Sequence, residues 1–206
     1  MSDERRRHWD QRHGGTGEIG TPSAFVVRAL DTLAGFGGPT AGSLRALDVA
    51  CGRGRHALLL AERGYAVEAV DFSLPALVNL KHAASARDHA VACLAADVTT
   101  WPMPTQRYAL VVVVSFLERG LFGALRNAVM PGGALLYETY TGDESGMPPA
   151  LRPEFVLEPG ELDRLCDGWR ILLRQTDVAM HGTRRTARAG ILAQRPPSSS
   201  PSTRAH

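Results

Sequence analysis

The run Leu47-Asp48-Val49-Ala50-Cys51-Gly52-Arg53-Gly54-Arg55 constrains this chain more than any other stretch. An apolar strand, Leu44 to Val49, enters a loop with glycine at alternate positions, and the helical run Ala57-Leu58-Leu59-Leu60-Ala61-Glu62 follows. Gly52 and Gly54 suit a sharp turn and a close ligand approach that a Cβ would block. The free N–H groups that open the following helix point at the same spot. In an open α/β sheet, the carboxyl end of a strand is where ligands bind. Taken alone, the same pattern also describes an ordinary strand-loop-helix turn.

A second landmark narrows the choice. Tyr65-Ala66-Val67-Glu68-Ala69-Val70-Asp71 is another strand, and its terminal acid lies about twenty residues past the glycine loop, where a carboxylate meets ribose hydroxyls. A carboxylate accepts from both hydroxyls of a diol and so fixes one orientation of a nucleoside. Asp71 or Ser73 is equally placed to cap the next helix. Loop and acid together call for a nucleoside cofactor. Gly52-Arg53-Gly54-Arg55-His56-Ala57 also satisfies G-x-G-x-x-A, which keeps an NAD(P)-dependent oxidoreductase open, beside a non-catalytic nucleoside-binding module.

The rest of the chain alternates strands with helices. Thr21-Pro22-Ser23 is expected to start a helix with Pro22 in its first turn, buried through Val26, Ala29, Leu30 and Leu33. Leu74, Leu77 and Val78 mark a helix running to about Arg87, and Val91 to Ala95 is a third strand. Trp101-Pro102-Met103-Pro104 clips the next crossover, because proline interrupts a helix. Tyr108 to Val114 reads as a central strand buried on both faces, with Ser115-Phe116-Leu117-Glu118-Arg119 at its carboxyl end. Glu118 and Arg119 there read as partners of each other. Met130-Pro131-Gly132-Gly133 precedes a strand from Ala134 to Tyr140. Two late strands, roughly Trp169 to Met180 and Arg185 to Gln194, are joined by the hairpin-length His181-Gly182-Thr183. This is an α/β chain with a mainly parallel sheet and helices on both faces.

The wider motif Asp48-x-Ala50-x-Gly52-x-Gly54 resembles motif I of the class I S-adenosylmethionine-dependent methyltransferases, with Ala50 where the family has its first glycine. The Pro-Gly-Gly turn before strand five and the closing hairpin are further marks of that class. The resemblance implies a Rossmann-like, seven-stranded, mostly parallel sheet with an antiparallel C-terminal hairpin. It also implies S-adenosylmethionine as cofactor and no metal. By the family's pattern, the loop at Ala50, Gly52 and Gly54 holds the methionine part, and Asp71 holds the ribose. Phe72 and Ser73 adjoin the nucleoside, Asp97 with Val98 reads the adenine amine, and Ser115 lies beside the sulfonium. An amino-terminal arm carrying Trp9 and Arg12 is expected as a lid. Leu157-Glu158-Pro159-Gly160-Glu161-Leu162-Asp163-Arg164, then Gly168-Trp169-Arg170, then Met180-His181, looks like the bacterial tellurite-resistance methyltransferases. In that family a histidine and arginines near the hairpin hold an oxyanion, which nominates His181 and Arg184, with Arg185 beside them. The His-Arg pair is interrupted here by Gly182 and Thr183.

Composition adds bounds. A chain of 206 residues, 44% hydrophobic and 21% charged, is large enough for one well-cored domain. The expected division is an arm over 1–20, the methyltransferase domain over 21–195, and a disordered tail over 196–206 rich in Pro, Ser and Thr. A net charge of +2 argues for neither nucleic acid nor membrane as partner and leaves a small-molecule acceptor. Cys51, Cys93 and Cys166 form neither a disulfide framework nor a metal spacing. Together with the lack of a signal-like apolar run, they point to the cytoplasm.

Overall fold

The computed structural model describes residues 7, 9–11, 18–36, 44–142, 152–181 and 184–198, and the side chains of 179–181 and 184–186 lie outside that description. Its elements are helix α1 (Ala24–Gly35), strand β1 (Arg45–Val49), α2 (Arg55–Glu62), β2 (Ala66–Asp71), α3 (Leu74–Ser85), β3 (Val91–Ala95), β4 (Tyr108–Val114), α4 (Phe122–Ala128), β5 (Val129–Thr141), α5 (Glu161–Leu165), β6 (Arg170–His181) and β7 (Arg184–Gln194). The seven strands form one sheet in the order β3-β2-β1-β4-β5-β7-β6. The first five run parallel, and β7 is antiparallel to both β5 and β6. This is the expected Rossmann-like class.

Why β4 is central follows from its residues. Every position from Tyr108 to Val114 is buried, which requires cover on both faces. On one face Phe25, Leu30, Leu60 and Leu80 of α1, α2 and α3 pack over Leu110, Val112 and Leu136. On the other, Phe122 and Leu125 of α4 and Leu162 of α5 close over Leu47, Val111, Tyr137 and Ile191.

Several expectations need correction. Pro22 precedes α1 rather than sitting in its first turn, because Ser23 is the N-cap and its side chain accepts from Phe25 N. On α3, Leu77 is buried but Leu74 and Val78 are 61% and 45% exposed. The smaller Ala76 and Ala84, with Leu80, make the buried face instead. The Met130–Gly133 turn is absorbed into β5 as a bulge, since the pairing with β4 jumps from Tyr108↔Val129 to Leu110↔Ala134. A Cβ on Gly133 would lie 2.8 Å from the Ala109 carbonyl oxygen, so only glycine lets the two backbones come this close. Residues 7 and 9–11 are helical, whereas most of 1–17 and all of 199–206 lie outside the described residues. Among the described residues no helix is long and apolar enough to cross a membrane.

Candidate active site

Register brings the expected cofactor residues to one edge of the sheet. Val49 pairs with Val70 and with Val113, Asp71 pairs with Ala95, and Val114 pairs with Glu138. The carboxyl ends of β1 to β5 therefore stand level. Ala50, Gly52, Gly54, Asp71, Phe72, Ser73, Asp97, Val98 and Ser115 all lie at or just beyond that edge. Left-handed backbone occurs there too: Ala50, Gly52, Gly54 and Ser115 have φ of 54°, 54°, 78° and 58°. Ala50 and Ser115 carry side chains in this left-handed region, at the ends of the adjacent strands β1 and β4. Strain of this kind persists where a site requires it.

Asp71 fastens the glycine loop to the start of α3. Its Oδ2 accepts from Gly52 N and its Oδ1 from Ser73 N, both at 2.8 Å. A carboxylate has about four acceptor positions, so each oxygen retains one for a ligand. Ser73 stands at the N-cap of α3 but makes no side-chain cap bond, and its buried Oγ has no partner among the described residues. Asp97 Oδ1 accepts from the Thr99 N–H and hydroxyl at 2.9 and 2.7 Å. Burial alone would raise its pKa, but hydrogen bonds including those from Thr99 hold it below the usual value. Phe72 is half-buried and Val98 is buried against the face carrying α4.

Beneath the loop lies Asp48, fully buried, with Oδ2 lacking a partner among the described residues. Burial, partly offset by the Ala57 N–H and reinforced by nearby Asp71, pushes its pKa up to about 7. His56, in the first turn of α2, is 4% exposed and accepts from Ser23 N at 3.2 Å. Its burial and the charges of Arg55 and Arg188 push its pKa down to about 3, so it is a neutral acceptor at physiological pH.

Sequence reasoning missed a polar cluster at the carboxyl ends of β4 and β5. Arg188 of β7 donates from Nε to Glu138 Oε1 at 3.1 Å and from Nη2 to Ser115 Oγ at 2.8 Å. Its guanidinium also lies over the Tyr140 ring, 4.8 Å from the centroid. Glu138 is 4% exposed, and its Oε2 has no partner among the described residues. The nominated His181 and Arg184 pair at the tip of the β6–β7 hairpin, and their side chains lie outside the described residues. Arg184 stands four positions before Arg188, roughly 13 Å along the strand. Arg12 falls outside the described residues, and Trp9 is half-buried.

Arg119 does not pair with Glu118. It grips Glu161 through Nε at 2.6 Å and Nη2 at 2.8 Å, and reaches the carbonyls of Glu154 and Val156. Glu118 instead accepts from Gly120 N. The loop after β4 is thus stapled to the segment that enters α5. Burial alone would raise the Glu161 pKa, but the Arg119 hydrogen bonds and the Glu158 N–H outweigh it and hold it below the usual 4.5. The stabilisation is therefore full above about pH 4.5 and is lost on acidification through the folded value. Arg119→Ala should destabilise by about 2 kcal/mol, because Glu161 is left nearly buried while Arg119 itself is partly solvated. Urea midpoints at pH 7 and pH 3.5 test this, and the difference between variant and parent should shrink at the lower pH.

S-adenosylmethionine fits this edge. It is cationic at sulfur, and Asp71 and Asp97 make the edge acidic; the buried Ser73 hydroxyl supplies an open polar partner. The comparisons agree. Residues 46–133 match a family model described as a methyltransferase domain. No curated protein matches the chain. Among solved structures, TehB from Haemophilus influenzae superposes with a TM-score of 0.70 at 18% identity, over 93% of this chain and 67% of that one. The [4+2]-cyclase SpnF gives 0.70 at 16% identity, over 96% and 97%. Phosphoethanolamine N-methyltransferase 2 of Haemonchus contortus, in complex with S-adenosyl-L-methionine, gives 0.63 at 15% identity, over 92% and 56%. At these identities the structures speak for the fold. A cyclase among them shows that fold alone does not fix the reaction.

Proposed function

We propose that this chain is a class I S-adenosylmethionine-dependent methyltransferase that methylates a small acceptor held at the carboxyl ends of β4 and β5 and the amino end of β7. The observation that carries the reading is the 2.8 Å contact of Asp71 Oδ2 with Gly52 N, which joins the ribose acid to the glycine loop in one rigid unit. The cofactor supplies an activated methyl group on a sulfonium. No nucleophilic side chain or metal is required of the protein for that chemistry. Its work is to orient and to exclude water, and alignment alone is worth effective molarities of ~10⁵ M or more. In this reading Ala50, Gly52 and Gly54 present backbone to the methionine part, Asp71 and Ser73 hold the ribose, and Asp97 with Phe72 and Val98 frames the adenine. Ser115 faces the reacting centre. Trp9 and Arg12 belong to an arm that closes over it. A small acceptor accords with the phosphoethanolamine enzyme among the structural neighbours. An oxyanion acceptor held by His181 and Arg184 is what the tellurite-resistance resemblance alone would suggest.

Calorimetry tests this directly. The protein should bind S-adenosylmethionine and not NAD. Asp71→Ala should weaken binding by about 1.5–3 kcal/mol, as for loss of a charged hydrogen bond. Binding of NAD with no response to S-adenosylmethionine would overturn the assignment.

A further inference from the structure

Glu138 is the least explained charged residue of the site. It sits on β5 with its side chain 6% exposed, level with the end of β4, and its backbone carbonyl accepts from Ser115 N at 2.8 Å. One carboxylate oxygen is held by Arg188; the other, Oε2, is buried and has no partner among the described residues. An unpartnered buried carboxylate oxygen is costly, and native structures keep one where something else satisfies it. Arg188 ties Glu138 to Ser115, the strained residue at the end of β4, and its charge is felt by His56 in the turn that follows the glycine loop. The cluster therefore stands at the same edge of the sheet as the cofactor loop.

Charge decides what such a cluster takes. Arg188 is neutralised by Glu138, and two of its donors are already engaged. An oxyanion would meet a compensated guanidinium and an open carboxylate oxygen, a repulsive arrangement. A group bearing a hydrogen would meet an acceptor without a competitor. We infer that Glu138 binds the methyl acceptor through that acceptor's own N–H, O–H or S–H, so that the substrate is a protic nucleophile (an amine, hydroxyl or thiol) and not an oxyanion. This rests on the proposed function, and the transfer conserves atoms and charge. The nucleophile's lone pair forms the bond to the methyl carbon, the carbon–sulfur bond breaks with its pair left on a neutral thioether, and the acceptor's proton passes to Glu138 Oε2 and on to water. Arg188 is a positioning residue: it fixes the other carboxylate oxygen, and its contact with the Tyr140 ring fixes the guanidinium in turn.

The test uses the full chain and its Glu138→Gln variant, with ethanolamine and 2-mercaptoethanol as protic probes and selenite as the anionic one. Binding is read by calorimetry without cofactor, and methyl transfer with labelled S-adenosylmethionine. The wild type should bind and methylate a protic probe and hold selenite at least tenfold more weakly. Glu138→Gln should keep S-adenosylmethionine affinity within about threefold, lose at least 100-fold in transfer to the protic probe, and gain at least tenfold in selenite binding as Arg188 is released. The gain would not arise from a merely damaged fold. Selenite methylation by the wild type that survives Glu138→Gln overturns the inference, and so does a wild type that binds S-adenosylmethionine but neither binds nor methylates any protic probe. Failure to bind S-adenosylmethionine at all would instead strike the proposed function.

Discussion

Gly54→Ala is expected to destabilise the protein by about 2–5 kcal/mol and to abolish cofactor binding. Two effects add. Gly54 has φ +78°, so any side chain there carries left-handed strain. A Cβ built on it would also lie 2.3 Å from Leu80 Cδ1, and Leu80 is fully buried, so it would have to shift within a packed layer. Gly64 separates the two effects. It has φ +85° but nothing within 4 Å of a new Cβ. Gly64→Ala should therefore show the backbone cost alone, about 1–2 kcal/mol. Urea unfolding of both variants gives the comparison. Equal losses in the two would mean that α3 shifts freely and that the loop is not braced against Leu80.

That brace shows why the loop was legible and its support was not. Glycines at alternate positions after an apolar strand announce a ligand-binding turn in a single stretch of sequence. The same holds for β3 and β4, whose bounds were readable from apolar runs alone. What failed needed partners distant in sequence. Glu138 and Arg188 are fifty positions apart, and only the antiparallel pairing of β5 with β7 brings them into contact. Neither lies in a motif. Arg119 misled because an acid stood next to it, whereas its true partner is 42 residues away. On α3 the large apolar residues drew the eye, yet Leu74 and Val78 face outward because the room against β2 and β3 is taken by alanines and Leu80. Asp48 is an intermediate case. An acid inside an apolar strand is visible at once, but its complete burial follows from β1 lying between β2 and β4, which is a fact of topology.

The contributions of Asp48 and His56 to the pH dependence of the cofactor-free protein's stability should cancel, in a way that each single variant would expose. Asp48 titrates near 3.8 unfolded and about 7 folded. Across that interval the folded state holds the extra proton, so stability falls by ~1.4 kcal/mol per pH unit as pH rises. His56 titrates near 6.5 unfolded and about 3 folded. Across its interval the unfolded chain holds the extra proton, so stability rises with pH at the same slope. The intervals overlap from about pH 4 to 6.5, where the two contributions cancel. Asp48→Asn keeps an oxygen for the Ala57 N–H and removes the falling limb. Its stability should climb by about 3–4 kcal/mol relative to wild type across the overlap. His56→Gln keeps an acceptor for Ser23 N and removes the rising limb, so its curve should drop by a similar amount. Carboxylates such as Glu161 tilt all three curves alike, and the differences between them isolate the pair. Urea unfolding at pH 4, 5, 6 and 7 reads the result. Parallel curves for wild type and Asp48→Asn would mean that Asp48 is already ionised in the folded protein, its charge met by the first turn of α2 and Arg55.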